Sequence, residues 1–525
     1  MLRKNAHTVA VNIPADGLFL AILRKEKSRF TKEGCTRIIE DYIDRHLEAG
    51  ADIIFLNVCY RRCLTPSEVF DSYLYDVETD ANGYAVRNEK GETKKSESPV
   101  SLGCSKYFDA FFTCARVLLA QGIDIYETAI QRIRKANRRV FLSVRMNDGH
   151  YTNSPGINSP FATKNGGENT IDKDGVSLDF SKAAVQNHFL QYIEELLLRY
   201  RVDGIELDFL RYPTVLPEEK RGDFSILNGY MAKVRALLDR HSKDLRLAVR
   251  LFPNEADNLK NGADVAAWIG EGCTDLLTLE NFYIPTNYEI PVQEYRESIE
   301  KRNAKHLPYA LLCGSDWGVC CIKGYHLAMS SALVRGFTAE ALQRGADGVY
   351  LFNFFEEEDT SSFALSEDEN GRAALKNCFS ERMAAAKDPL GLPRSTVHIG
   401  DSVSRYPIRL PAGASYSLTY EKKQPSEKSK ILVGCDIDLP ISLALNAEKE
   451  NIYLQNEETK AGFEYIPREK ILPTDFIYSP SQAAPFLKAA EIFLEEGSKE
   501  TVNLTLKNES DKELNVLWLE IIAHE

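Results

Sequence analysis

Up to about position 380 the chain alternates two textures. Short apolar runs rich in Val, Ile, Leu and Phe recur at 8–13, 52–58, 139–146, 204–210, 245–252, 275–282, 308–313 and 348–355. Most lack a sustained polar alternation, which is how parallel strands buried on both faces read. Amphipathic segments lie between them. In the clearest, Val185, Phe189, Tyr192, Ile193, Leu196, Leu197 and Tyr200 fall at the spacing of one buried helix face. The same pattern predicts helices at 36–47, 108–119, 227–238 and 329–342. Gly50, Gly272 and Gly345 each follow a helix shortly before a strand, where C-terminal caps belong. Eight β–α units predict a closed (β/α)8 TIM barrel. An open doubly wound sheet is the alternative, but no glycine-rich phosphate loop follows the first strand.

Beyond about position 384 the pattern changes. Residues 387–393 read as a linker, and β-rich segments with polar turns follow at 408–410, 416–420, 431–433, 502–506 and 514–522. This predicts a smaller all-β sandwich of jelly-roll type, with helical periodicity only at 483–494. The domains are therefore placed at 1–385 for the barrel and 395–525 for the sandwich. Two polar insertions, 79–106 and 149–179, fall in βα loops, on the face where barrels build active sites. The second, with Tyr151, Asn153, Asn158, Phe161, Asn165, Asn169 and Thr170, would suit a polar ligand such as a sugar; a surface excursion is the other reading.

Composition narrows the function. At roughly 150 residues per domain, 525 residues suggest three domains, but one barrel with long loops absorbs the excess. The 64 basic and 77 acidic residues give a net charge of −13, which argues against nucleic acid or an anionic membrane as partner. No apolar run approaches the 18 or so residues of a membrane span. Asn5, His7, Asn12, Pro14 and Asp16 interrupt any signal-like stretch, so the chain as it begins is expected in the cytoplasm; a trimmed export signal would leave the same sequence. Of 11 cysteines only Cys59/Cys63 and Cys320/Cys321 are close sets, and neither has a second pair at zinc spacing. Buried free thiols are expected, with no metal and no cofactor.

Candidate chemistry gathers on the fourth strand, where 203–213 reads Asp-Gly-Ile-Glu-Leu-Asp-Phe-Leu-Arg-Tyr-Pro. Side chains alternate along a strand, so Glu206 and Asp208 share one face, with Asp208 nearer the mouth. Acids aimed into a barrel are costly unless paired or used, and Glu206 could be the buried partner of Arg145 or Arg250. Other strands end in similar groups: Arg145, Asn147, Asp148 and His150 after the third, Arg250 and Asn254 after the fifth, Glu280 and Asn281 after the sixth. Asp316 and Trp317 follow the seventh and Asn353 the eighth, while the acidic run 356–359 reads as a solvated loop. Acids, amides, arginines and aromatics at one mouth fit glycoside chemistry, in which a carboxylate pair reacts and aromatic faces stack on sugar rings.

The strand-four segment resembles the DGxxxDxxRYP-type motif of bacterial family-10-like glycosyl hydrolases, barrel proteins distinct from the true family 10 xylanases. Residues 143–148, 264–268 and 345–353 are similar to those barrels too, so the likeness spans most of 1–380. The segment is also similar to the DGxDxDxE motif of family 18 chitinases at Asp203, Gly204 and Asp208. Glu206 replaces an aspartate there, and Leu210 stands where the chitinase acid would be, which argues against substrate-assisted chemistry.

In several retaining α-glycosidase barrels the nucleophile is an aspartate on strand four and the acid/base lies on strand six. That analogy selects Asp208 and Glu280, with Asp148 and Asp316 in reserve for the acid. The resemblance thus implies a retaining glycoside hydrolase acting on an oligo- or polysaccharide. Its sugar site would use Arg145, Asn147, Asp148, His150, Glu206, Arg211, Arg250, Asp316, Trp317 and Asn353. Two alternatives stand beside it: a non-catalytic carbohydrate-binding barrel, and a metal-dependent hydrolase or lyase using Asp148, His150, Glu206 and Asp208. The C-terminal part resembles ancillary jelly-roll modules of carbohydrate-active enzymes. Its single Trp518, between Leu517 and Leu519, reads as core and the module as structural. Sugar, linkage, anomeric outcome (retaining or inverting) and oligomeric state stay open, a homodimer included.

Overall fold

The computed structural model of the protein describes residues 7–14, 17–19, 21–22, 31–97, 106–150, 152, 156–281, 288–316, 318–322, 325–353, 381–397, 408–421, 428–435, 441–445, 452–453, 463–465, 488–494 and 501–524. Eight parallel strands close a barrel: β1 (Thr8–Ile13), β2 (Ile53–Asn57), β3 (Arg139–Arg145), β4 (Gly204–Asp208), β5 (Arg246–Leu251), β6 (Leu276–Glu280), β7 (Ala310–Ser315) and β8 (Gly348–Leu351). They run in sequence order, and β8 returns to β1 with Thr8 opposite Gly348 and Val11 opposite Leu351. The open sheet is thereby excluded.

Outward-facing residues such as Val9, Ile54, Val144, Leu207, Val249 and Leu277 are buried under the surrounding helices. These include α1 (Lys32–Glu48), α2 (Lys106–Ala120), α3 (Ile125–Lys135), α4 (Ala183–Arg199), α5 (Ser225–His241), α6 (Val265–Gly270), α7 (Val292–Arg302) and α8 (Ser331–Gln343). Several begin on side-chain caps. Thr31 accepts from the Gly34 amide, Asp124 from those of Tyr126 and Glu127, and Ser330 from that of Leu333. Gly50, Gly272 and Gly345 have φ of 101°, 77° and 96°, the left-handed backbone expected after a helix.

Inside the barrel the alternation sorts chemistry by depth. Ile53, Phe55, Phe141, Ala248, Leu276 and Leu312 build an apolar floor. Toward the C-terminal strand ends the same inward phase presents Asn57, Arg145, Asp208, Arg250 and Glu280, all buried. Barrel enzymes place their reactive groups at that end.

Several sequence expectations change at this level. The seventh strand runs Ala310–Ser315 rather than 308–313. The sixth and eighth end at Glu280 and Leu351, and residues 282, 354 and 355 lie outside the described set. Lys95–Glu97 of the first insertion pairs antiparallel with Tyr75–Val77 just before it, and Gly318–Ile322 pairs with Tyr325–Ala328 after β7. The second insertion holds a helix, Pro160–Gly167, and three of its polar side chains hydrogen-bond within the protein. The Asn158 side-chain oxygen accepts from Arg61, Asn169 donates to the Phe161 carbonyl, and Thr170 donates to that of Gly167. Tyr151 and Asn153 lie outside the described residues.

The C-terminal part is a β-sandwich. Its strands are β9 (Arg394–Val397), β10 (Ile408–Leu410), β11 (Ser415–Glu421), β12 (Lys428–Cys435), β13 (Ile441–Leu445), β14 (Ile452–Tyr453), β15 (Phe463–Tyr465), β16 (Lys488–Leu494), β17 (Thr501–Asn508) and β18 (Leu514–His524). One antiparallel sheet has the order β9-β18-β12-β16-β15, with β10 also on β18; the other is β11-β17-β13-β14. Leu418, Tyr420, Leu504 and Leu506 of the second sheet share a core with Ile431, Val433, Val516 and Leu519 of the first. Of the stretch 483–494, where helical periodicity was expected, residues 488–494 form β16, laddered between β12 and β15, and that pairing overrides local helical periodicity; 483–487 lie outside the described residues.

The ladder skips one residue between Val516 and Trp518 opposite Cys435 and Gly434, so β18 changes face there and buries Val516 and then Leu519. The Trp518 side chain lies outside the described residues. A cleft of about 420 Å³ separates the ends of α7 and α8 from the sandwich, lined by Glu294, Glu340, Arg344, Thr396, Thr419 and Tyr420 among others. Cys35, Cys59, Cys63, Cys114, Cys273, Cys313 and Cys435 are free and buried, as expected of thiols in a core. Among the described residues no helix is long and apolar enough to cross a membrane.

Candidate active site

Strands β4, β5 and β6 lie side by side, and their register sets Asp208 beside Arg250. Arg250 then gathers both candidate carboxylates. Its Nη1 donates to Asp208 Oδ1 and Oδ2 at 3.0 and 3.1 Å. Its Nε and Nη2 donate to Glu280 Oε2 and Oε1, each at 2.8 Å. The Leu210 amide adds a bond to Asp208 Oδ1 at 3.0 Å. The Phe352 ring covers the guanidinium, with Cζ 3.6 Å from its centroid. None of the three charged residues is more than 2% exposed.

A charge network this deep persists only because each member is paired. Burial works against the Arg250 charge, but the two carboxylates more than reverse this, and its pKa rises. Burial pushes the Glu280 carboxyl up to about 7; Arg250 pulls the other way, and the Asp316 and Asp208 charges push further up. Space for Glu280 comes from Gly314 on β7, where a Cβ would lie 2.3 Å from Glu280 Oε2.

Glu206 sits one layer deeper. Neither suggested arginine is bonded to it: Arg250 is taken by Asp208 and Glu280, and Arg145 by Asp148. Instead Ser143 Oγ donates to Glu206 Oε1 at 2.6 Å and Tyr350 Oη at 2.9 Å, while Oε2 is buried with no partner. Burial first, then the Asp208 charge, pushes its carboxyl up to about 8, so it is protonated at neutral pH.

Beside this core is a second cluster. Asp148 accepts from Arg145 Nη1 at 2.6 Å, from His150 Nδ1 at 2.6 Å and from the His150 amide at 2.8 Å. Burial alone would raise its pKa, but Arg145 and then His150 hold it well below the usual carboxylate range. His150 Nε2 lies 3.3 Å from Arg211 Nη2.

Other expected site residues take different places. Asn147 ties two loops together, donating to the Thr214 carbonyl and accepting from the Leu178 amide. Asp316 is partly buried and raises Glu280 by its charge. Asn353 is 9% exposed with a left-handed φ of 47°. Trp317 and the run 356–359 lie outside the described residues. The four groups of the metal alternative do not converge, since Asp148 and His150, Glu206, and Asp208 each have separate partners. Among the described residues no group of three or more His, Cys, Asp or Glu side chains is arranged to hold a metal ion.

Sequence reasoning missed Ser143, Tyr350, Phe352 and Gly314, none of which carries a charge to attract notice. It also missed Arg61, Arg62 and Asp71, which bind the second insertion: Arg61 through Asn158 and the carbonyls of 175 and 176, Arg62 through the Asn158 carbonyl, and Asp71 through Ser159 and the Phe161 amide. The only sequence signal was an Arg-Arg pair just after the second strand.

No family model matches the chain, and no curated protein matches it. Among solved structures, an endo-1,4-β-mannanase from Rhizomucor miehei is 10% identical with a TM-score of 0.41, over 73% of this chain and 97% of that one. The PgaB glycoside hydrolase domain from Bordetella bronchiseptica is 9% identical with a TM-score of 0.39, over 71% and 99%. A cycloisomaltooligosaccharide glucanotransferase from Paenibacillus sp. is 9% identical with a TM-score of 0.33; 98% of this chain spans 56% of that one.

Proposed function

We propose that the protein is a glycoside hydrolase acting on an oligo- or polysaccharide, with Asp208 as nucleophile and Glu280 as acid and base. One observation carries this reading: two carboxylates from the ends of β4 and β6, the strands on either side of β5, are held on one buried guanidinium at the C-terminal end of a barrel. Arg250 Nη1 donates to both oxygens of Asp208 and aims the carboxylate, as attack on an anomeric carbon requires. A Glu280 pKa of about 7 suits a group that protonates the leaving oxygen and then takes a proton from water at neutral pH. A double displacement needs its carboxyls about 5–5.5 Å apart. Sharing one guanidinium supports a close pair, so the reaction is read as retaining. The strand-four likeness to family-10-like glycosyl hydrolases points the same way.

The near-complete burial of Asp208 and Glu280 favours a second reading, in which the triad braces a barrel that binds carbohydrate without cutting it. A broad panel of oligosaccharides, followed by chromatography of products and by NMR of the first anomer released, separates the two. Cleavage with retained configuration, lost at least 10³-fold in a folded Asp208→Asn protein, is expected by analogy with the loss of a key catalytic group. Glycans that bind but are never cut, or full activity in Asp208→Asn, would overturn the assignment.

A further inference from the structure

The guanidinium groups described around the carboxylate pair are already opposed by acids. Arg250 carries Asp208 and Glu280, and Arg145 carries Asp148. The Asp148 charge acts on Arg211 and Arg61 as well, and Arg61 spends its nitrogens on Asn158 and the carbonyls of 175 and 176. Asp316 adds a further negative charge, which acts on Glu280. An anionic sugar would therefore compete with fixed carboxylates for each of these cations, while Asp208 and Asp316 repelled it. A sugar that carries only hydroxyls meets no such cost.

What a hydroxyl finds is an unfilled donor on Arg145. That residue ends β3, in register with Asp208 on β4. Three contacts fix its guanidinium. Nη1 donates to Asp148 Oδ2 at 2.6 Å, and the Tyr60 ring centroid lies 4.6 Å from Cζ. With the Asn57 amide turned so that Nδ2 donates to the Cys59 carbonyl, Asn57 Oδ1 accepts from Arg145 Nε at 3.2 Å. The remaining nitrogen, Nη2, has no acceptor among the described residues, although Arg145 is only 3% exposed. A buried donor left open is costly, and a ligand oxygen would relieve that cost. This one lies one strand from the proposed nucleophile, on a group whose charge Asp148 already balances.

We propose that this mouth takes an uncharged sugar, and that Arg145 Nη2 donates to one of its hydroxyls beside Asp208. The proposal rests on the carbohydrate reading above and names the substrate class of the same site. Arg145 selects by a charge-assisted hydrogen bond to a neutral acceptor. No covalent bond is made or broken there.

The test titrates matched oligosaccharides into the full-length protein. Galacto- and manno-oligosaccharides are set against galacturonate and mannuronate oligomers, with xylo-, cello- and malto-oligosaccharides beside them, and affinity is read by calorimetry. At least one neutral oligosaccharide should bind, and the uronate oligomers at least about 10-fold more weakly. Arg145→Lys keeps a cation for Asp148 but offers one nitrogen in place of three. It should lose about 10- to 100-fold in affinity for the neutral sugar, the range of one charge-assisted hydrogen bond. One monodeoxy analogue of the bound sugar should bind the wild-type protein more weakly by the same factor. Arg145→Lys should bind that analogue as well as the parent sugar, a coupling that general loss of structure does not produce.

Uronates bound as tightly as neutral sugars, no neutral sugar bound, or unchanged affinity in Arg145→Lys overturns the proposal. So does a wild-type protein indifferent to every monodeoxy analogue, a measurement that stands even where Arg145→Lys fails to fold. The two readings fail separately. A neutral glycan held through Arg145 but never cut upholds this donor against the hydrolase. Cleavage of an acidic glycan, or of neutral glycans by Arg145→Lys with unchanged KM, does the reverse.

Discussion

Arg250 and Glu280 meet edge to edge, Nε on Oε2 and Nη2 on Oε1, with both bonds at 2.8 Å and both side chains buried. The fork geometry leaves the third nitrogen, Nη1, for Asp208. Removing the guanidinium would strand two acids in the barrel interior. Arg250→Met is expected to cost about 3–5 kcal/mol of stability, as for a broken buried pair. Arg250→Lys should recover little, because one ammonium cannot supply two edges. Urea unfolding curves measure both, and a loss below about 1 kcal/mol for Arg250→Met would show the triad to be weakly coupled.

In the proposed reaction the proton on Glu280 sets a pH limb. With its carboxyl near 7, the acid form is lost as pH rises through that value, so kcat/KM on a cleaved glycan should fall above about pH 7. A pH–rate profile that stays flat to pH 9 would remove Glu280 as the acid.

Gly314 offers a test that leaves every charged residue in place. An added Cβ would collide with Glu280 Oε2, so Gly314→Ala should push the carboxylate off Arg250. We expect a stability cost of about 1–3 kcal/mol, typical of overpacking. Activity should fall on the order of 10²-fold, as for a displaced catalytic group. Thermal unfolding together with turnover on the same preparation reads the two separately. Activity preserved alongside the expected stability loss would show that the position of Glu280 is immaterial.

Glu206 predicts how stability itself responds to pH. Its carboxyl is raised from 4.5 to about 8, so the folded state holds a proton that the unfolded chain releases. Below about pH 4.5 both states are protonated and nothing is lost. Between 4.5 and 8 stability declines as pH rises, and above 8 the folded protein carries the full cost of a buried charge. Glu206→Gln keeps an oxygen for Ser143 and Tyr350 but cannot ionise. It should be near neutral at pH 4.5 and stabilising on the order of a few kcal/mol at pH 9. Chemical denaturation at both pH values checks this, and equal effects at the two would refute it.

Much of the barrel was legible because its strands are buried on both faces and so keep unbroken apolar runs. The chemistry was legible only to the level of which strand end carried it. Asp208 and Glu280 stood out as acids in apolar surroundings, but their shared guanidinium depends on the stagger of three adjacent strands. Glu206 shows the same limit: two neutral hydroxyls hold it, from Ser143 on one side and from Tyr350 on a strand remote in sequence. The segment 488–494 failed for a related reason. Its sequence, Lys-Ala-Ala-Glu-Ile-Phe-Leu, favours helix locally, while β12 and β15 supply a ladder only when folded.

The seam between β1 and β8 bears on how such a chain comes to be folded at all. Asn12 hydrogen-bonds the Tyr350 hydroxyl across 338 positions of sequence, at the joint where the barrel closes. Until β1 and β8 pair, the sheet has two edges with unpaired amides and carbonyls open to their surroundings. Contacts so distant in sequence are formed late and slowly. A chain caught before that pairing would offer two bare edges to its own copies, and a chaperone that covers a sheet edge would act on that state.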